Sequence, residues 1–113
     1  MGIEEDLKAN IKEFLESAEI DFNEGRYNSS INSYFKGIAA LCDLKIYELK
    51  RILPKNHAER FLFLKTSFYE VYKIISPLFD EYTKTYNLRL GRKEALSFRE
   101  NVKKIKQLFE GKT

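Results

Sequence analysis

Residues 18–38 read AEIDFNEGRYNSSINSYFKGI, and this stretch decides the fold. Its glycine, Gly25, can take the left-handed backbone conformation that closes a helix without a steric penalty. On both sides of Gly25, apolar and aromatic residues return at three- and four-residue steps, as they do on one face of a helix. The stretch therefore predicts two antiparallel helices joined by a tight turn.

The same periodicity extends over the rest of the chain and predicts no strands. Pro54 should end the second helix, Asn56 should cap the third with Glu59 as its partner, and Ser76-Pro77 should break or kink the third. The predicted helices run from about Glu4 to Asn23, from Tyr27 to about Arg51, from Asn56 to about Asn87, and from Arg92 to Phe109. We expect an all-α fold, an antiparallel bundle of four or five helices in a single domain over residues 1–113.

Composition excludes several classes of protein. The chain has 113 residues, of which 43% are hydrophobic, and it has no run of about 18 apolar residues, so it should not span a membrane. Residues 1–7 are too acidic for a secretory signal. Cys42 is the only cysteine and His57 the only histidine, so no intrachain disulfide and no Cys/His zinc site can form. We predict a cytoplasmic protein without a metal or cofactor.

The charge is distributed unevenly along the chain. Residues 1–25 hold eight acids and two bases, whereas residues 84–113 hold nine bases and three acids. If the acidic and basic helices are neighbours, much of this charge cancels, and the bases form an ordinary solvated surface. If they lie apart, the bases form a contact for a polyanion such as nucleic acid. The candidate contact residues are Arg92, Lys93, Arg99, Lys103 and Lys106.

Three segments resemble the HEPN superfamily of prokaryotic helical bundles. They are Gly25-Arg26-Tyr27-Asn28-Ser29-Ser30 at the turn, the Tyr- and Ala-rich residues 34–40 of the second helix, and Lys55-Asn56-His57 before the third. The resemblance implies a helical bundle that is commonly a homodimer. It also implies a toxin–antitoxin or defence system, often with a small nucleotidyltransferase as partner.

Some members of that superfamily are metal-independent endoribonucleases with an Arg-x4–6-His motif. Arg51 and His57 match this spacing here, with five residues between them. A histidine could then move protons on the ribose, and an arginine could stabilise charge on the phosphate. Ile52 and Pro54 depart from the nuclease pattern, and the motif lies between two helices. A structural, loop-stabilising role for His57 is therefore the alternative.

The sequence thus favours a non-catalytic HEPN-like module that binds nucleic acid, a nucleotide or a protein. The alternative is the endoribonuclease that uses Arg51 and His57. A third interpretation makes the excess aromatic residues, with Tyr82 and Tyr86 among them, a dimer or partner surface. The tyrosines could instead border a nucleotide pocket, or lie in the core with their hydroxyl groups reaching water.

Overall fold

The computed structural model describes residues 2–111, and within that range the chain is all helical. No strand occurs there, so the predicted all-α bundle is confirmed. None of the helices in this range is long and apolar enough to cross a membrane. The helices are α1 (Ile3–Asn23), α2 (Tyr27–Lys50), α3 (His57–Ser67), α4 (Tyr69–Lys84) and α5 (Arg92–Glu110).

The turn between α1 and α2 forms as predicted. Gly25 has φ of 75°, which a residue with a side chain rarely adopts. Further along the pair, the Ser30 hydroxyl donates to the carbonyl oxygen of Ala18 at 2.9 Å. A Cβ atom on Gly37 would lie 2.5 Å from Cδ2 of Leu15, so the glycine lets α1 approach closely. The two helices therefore pack as a tight antiparallel hairpin.

Helix α2 is the central element, because each of the other four helices packs against it. Its buried side chains form the middle of the core, and α4 and α5 each add one apolar stripe. The fully enclosed large side chains include Ile31, Tyr34, Phe35, Ile38, Ile46, Leu64, Ile75, Phe98 and Ile105. These residues follow helical spacing along their helices, as the three- and four-residue periodicity indicates.

Helix α3 begins where the sequence placed its cap. Asn56 Oδ1 accepts a hydrogen bond from the backbone N–H of Glu59 at 2.9 Å. The Glu59 carboxylate in turn accepts from the backbone N–H of Lys55 at 3.1 Å. These two bonds satisfy amide groups at the helix start and fix His57 as the first residue of α3.

A break or a kink was predicted at Ser76-Pro77, and the break is wrong, because α4 runs through both residues. Pro77 and Lys73 are both exposed on the outer side of the helix. Because Pro77 has no backbone N–H, the carbonyl of Lys73 lacks its helical hydrogen-bond partner. Water can satisfy that carbonyl, so the helix continues. The break occurs instead at Phe68, whose ring packs edge-on against Phe109 at 5.4 Å. Tertiary packing outweighs local helix propensity at this residue.

Asn28 ties the α4–α5 connection to the start of α2. Its Nδ2 donates to the carbonyl of Leu88 at 2.8 Å and to that of Thr85 at 3.5 Å, and its Oδ1 accepts from the N–H of Leu90 at 2.9 Å. One side chain thus satisfies three backbone groups of a segment without regular structure. The asparagine that follows Gly25 and Tyr27 in the turn motif therefore has a structural role.

We predict that Asn28→Ala lowers the free energy of unfolding by about 1–2 kcal/mol, because backbone groups of the connection lose their partners. Chemical denaturation followed by circular dichroism measures the change. Asn101→Ala is the matched control, since within residues 2–111 the Asn101 side chain donates to Ser97 of its own helix and not to another element. Equal stability losses for the two variants would contradict the role given to Asn28.

Candidate functional site

His57 lies in a group of aromatic rings at the start of α3. Its ring centroid is 4.9 Å from that of Phe79, 5.8 Å from Phe35 and 6.3 Å from Phe61. The side chain is half-buried, and these rings cover its faces. The imidazole therefore has a fixed orientation that is set by packing on α2, α3 and α4.

The nitrogen Nδ1 of His57 is held by Arg60, one turn further along α3. Arg60 Nη1 is 2.8 Å from Nδ1, while its Nε and Nη2 donate to the two carboxylate oxygens of Asp43 at 2.7 and 2.9 Å. A guanidinium can only donate hydrogen bonds, so Nδ1 must accept. The neutral imidazole then carries its proton on Nε2.

The surroundings of His57 lower its pKa. Burial of the ring is the main cause and the charge of Arg60 the second, while Asp43 acts in the opposite direction. The ring is therefore neutral at neutral pH, with the lone pair of Nδ1 already engaged. A general base needs a free nitrogen lone pair, and Nδ1 offers none.

Arg51 has a different set of contacts. It is the residue after α2, with φ of 60°, and its side chain is 68% exposed. Its guanidinium lies 3.0 Å from the carboxylate of Glu4 and 5.5 Å from the ring centroid of Tyr47. The hydrogen bond from Arg51 to Glu4 raises the pKa of the arginine above its ordinary value. Arg51 thus pairs with α1, whereas the arginine in contact with His57 is Arg60.

Two of the five candidate contact residues on α5 also serve the fold. Arg99 pairs with Glu19 of α1 at 3.1 Å, and its guanidinium lies 5.2 Å from the ring centroid of Phe22. Arg92 lies over the same ring at 5.4 Å. The acidic α1 and the basic α5 are therefore neighbours, and part of the uneven charge is compensated inside the molecule.

The lysines of α5 lie at the surface. Lys103 and Lys106 are exposed and line a cleft of about 190 Å³ whose lining includes Leu15, Tyr34 and Val102. Lys103 also pairs with Glu100 of its own helix at 3.8 Å. Arg92, Arg99, Lys103 and Lys106 follow one another at steps of seven, four and three residues, so they share one face of α5.

Lys93 lies apart from that face. It borders a separate cleft between α4 and α5, together with Glu81, Glu94 and Ser97. The two carboxylates of that cleft offset its charge. The structure therefore brings four of the five candidate contact residues together on one face and places the fifth elsewhere.

The tyrosines range from buried to exposed. Tyr34 is buried and donates to the carboxylate of Glu19, and burial together with this bond raises its pKa. Tyr82 is buried with its hydroxyl 3.1 Å from that of Tyr86, and this bond, together with burial, raises the pKa of Tyr82 to about 12. Tyr69 and Tyr86 are more than half exposed.

Sequence reasoning missed Asp43 and Arg60. Their side chains are only 15% and 11% exposed, and each lies among apolar residues of its own helix, where the pattern indicates core. The sequence did show one acidic and one basic residue at positions that the pattern assigns to the core. It also showed that Arg60 follows His57 by three residues, which is one helical turn. The pairing across α2 and α3 requires the tertiary fold, so spacing alone does not reveal it.

No family model, curated protein or solved structure matches the chain. The HEPN resemblance therefore stays a prediction. In residues 2–111, no three side chains of histidine, cysteine, aspartate or glutamate are grouped as metal ligands would be.

We predict that Arg60→Leu lowers the free energy of unfolding by about 3 kcal/mol, because Asp43 is left as a largely buried, unpaired charge. The double variant Asp43→Leu/Arg60→Leu should be more stable than Arg60→Leu alone. Chemical denaturation gives both values. Lys103→Leu, which breaks the exposed pair with Glu100, is the control and should cost less than about 1 kcal/mol.

We also predict that stability falls between pH 7 and pH 5 partly through His57. Its folded-state pKa lies below the ordinary 6.5, so the unfolded chain takes up this proton first and acidification favours unfolding. His57→Gln keeps a hydrogen-bond acceptor for Arg60 and does not titrate. Its free energy of unfolding should therefore depend less on pH than that of the unsubstituted protein. Identical pH profiles would contradict the assignment.

Proposed function

We propose that the chain is a non-catalytic, HEPN-like binding module, a homodimer that contacts a nucleic acid through α5. The observation that carries the nucleic-acid contact is the row formed by Arg92, Arg99, Lys103 and Lys106 on one face of that helix. Rows of this kind match the repeating negative charge of a phosphate backbone. Single-stranded RNA is the first ligand to test.

The contacts of the two candidate catalytic residues favour binding over catalysis. Nδ1 of His57 accepts from Arg60, and Arg60 is itself engaged by Asp43. Arg51 pairs with Glu4 on another helix. An endoribonuclease of this kind would need a histidine free to exchange protons and, beside it, the arginine that holds the phosphate. Nδ1 of His57 is already engaged, and the arginine in contact with His57 is Arg60 and not Arg51.

We expect RNA affinity to fall steeply with salt, because each neutralised phosphate releases counterions. With four phosphate contacts, the logarithm of the association constant should fall with the logarithm of salt concentration at a slope of about −3. Fluorescence anisotropy of a labelled RNA between about 50 and about 200 mM potassium chloride measures this slope. No binding at the lower salt, or a slope near zero, would contradict the proposal.

The charge reversal Lys103→Glu/Lys106→Glu should weaken binding more than tenfold and reduce the slope by about 1.4, the share of two contacts. These lysines are chosen because they are exposed, whereas Arg99 also supports α1. Lys8→Glu/Lys12→Glu, on exposed positions of α1, changes the net charge equally and is the control. It should leave the slope unchanged.

The same mixtures test the alternative activity. We expect the RNA to be recovered intact after incubation without added metal. Metal-independent cleavage that disappears in His57→Ala, while helix content stays unchanged, would establish the endoribonuclease instead.

A further inference from the structure

A groove runs between α1 and α5, and α2 forms its floor. Both outer helices pack against α2, but their backbones come close to each other at few points. Long side chains span the gap instead. Arg99 of α5 reaches Glu19 of α1 at 3.1 Å, and the guanidinium groups of Arg92 and Arg99 lie over the ring of Phe22. The cationic face of α5 therefore borders this groove.

Three clefts follow one another along the groove. The middle cleft has a volume of about 190 Å³, and it shares Leu15 and Glu19 with a cleft of about 430 Å³ on α1. It shares Lys106 with a cleft of about 290 Å³ between α2 and α5, whose lining includes Leu44 and Phe109. Apolar side chains thus recur beside the cations along the groove.

The middle cleft offers three kinds of surface. Leu15 and Val102 are its apolar part, and Glu19 supplies a hydrogen-bond acceptor. Lys103 and Lys106 add positive charge on the α5 side, where both are exposed. A nucleotide has three matching parts, namely flat apolar ring faces, N–H donors at the edge of the base and a negative phosphate. The cleft therefore matches a nucleotide better than a free phosphate, which has no apolar part.

Glu19 decides which part of a nucleotide lies in the cleft. Its carboxylate accepts from the Tyr34 hydroxyl and pairs with Arg99, and 39% of its side chain is exposed. A carboxylate offers about four acceptor positions, so Glu19 can accept a further N–H from a ligand. Its negative charge repels a phosphate, which is directed instead to Lys103 and Lys106. A neutral base with N–H groups fits beside Glu19.

The size of the cleft also indicates a single base. A cavity of about 150 Å³ holds a benzene ring, so the cleft of about 190 Å³ has room for one aromatic base. Sites for drug-sized molecules are larger, at about 300–1,000 Å³. In a duplex the bases are stacked and their edges are paired, so only a single strand can turn a base outward into such a cleft.

We infer that the middle cleft takes one unpaired base of a single-stranded RNA, while Lys103 and Lys106 bind the phosphates beside it. The inference rests on the RNA contact of the proposed function and names its ligand class, a single strand rather than a duplex. Lys103 is available for this contact, because its pair with Glu100 is at 3.8 Å and both side chains are at least 60% exposed. An exposed pair of this kind contributes little and can be exchanged for a phosphate.

The first experiment compares two labelled strands of equal length by fluorescence anisotropy, an oligouridine and the same ribose-phosphate chain without bases. The oligouridine should bind at least about tenfold more tightly, because a base held by the protein adds binding free energy that the abasic strand lacks. The two strands should show the same dependence on salt, since they carry the same phosphates.

The second experiment tests the preference for a single strand. A blunt RNA duplex is given an unpaired extension, either of uridines or of the same number of abasic nucleotides. The uridine extension should raise the affinity about tenfold more than the abasic extension does. Both extensions add the same phosphates, so charge alone cannot produce this difference. Equal gains from the two extensions would contradict the inference.

The third experiment uses Glu19→Gln, which keeps the length of the side chain and an oxygen for Tyr34 but removes the charge. A neutral amide is the weaker acceptor, so the preference for oligouridine over the abasic strand should shrink severalfold. If a phosphate occupied the cleft, both strands would bind more tightly and the preference would stay unchanged. Glu13→Gln, at an exposed position of α1, is the control and should keep the preference. Circular dichroism confirms that both variants keep their helices.

The abasic strand separates failure of this inference from failure of the proposed function. Equal affinities for the two strands, with binding that Lys103→Glu/Lys106→Glu weakens, would overturn the base site and leave the phosphate contact on α5 standing. Absence of binding by both strands at about 50 mM potassium chloride would overturn the RNA contact as well.

Discussion

The structure depends on the enclosure of α2 by the other four helices. A helix that is covered on several sides must find partners for every polar side chain it turns inward, because a buried group without a hydrogen bond costs about 1–3 kcal/mol. Ser30 and Tyr34 meet this requirement on α1, and Asp43 meets it on α3. These bonds also fix which helix lies beside which part of α2, so they set the arrangement as well as its stability.

This enclosure separates structural from functional surfaces. The turn motif of residues 25–30 is occupied by contacts within the fold, and so is the aromatic pocket that holds His57. The surface proposed for a partner lies on an outer helix, where α5 presents exposed cations. A binding module needs exposed, preordered surfaces of this kind, whereas a nuclease needs a histidine that can change its protonation state.

The sequence was sufficient to predict the helices, the Gly25 turn and the Asn56 cap, because each depends on neighbours within a few residues. It was insufficient at Phe68 and Pro77. There the deciding factors are the packing of one ring against Phe109 and the exposure of one carbonyl to water, which only the assembled bundle determines. For the same reason, the sequence did not reveal the hydrogen-bond partner of His57. Arg60 reaches Nδ1 because Asp43, seventeen residues earlier, holds its guanidinium in place.

The enclosed position of Cys42 has a consequence for how association is interpreted. The thiol is fully buried, and burial raises its pKa, so the folded protein offers neither the access nor the thiolate that disulfide exchange requires. Two native molecules therefore cannot become cross-linked through sulfur. Any covalently joined pair seen on a non-reducing gel records chains that had opened before they met, and treatment with a reductant distinguishes such damaged material from the proposed homodimer.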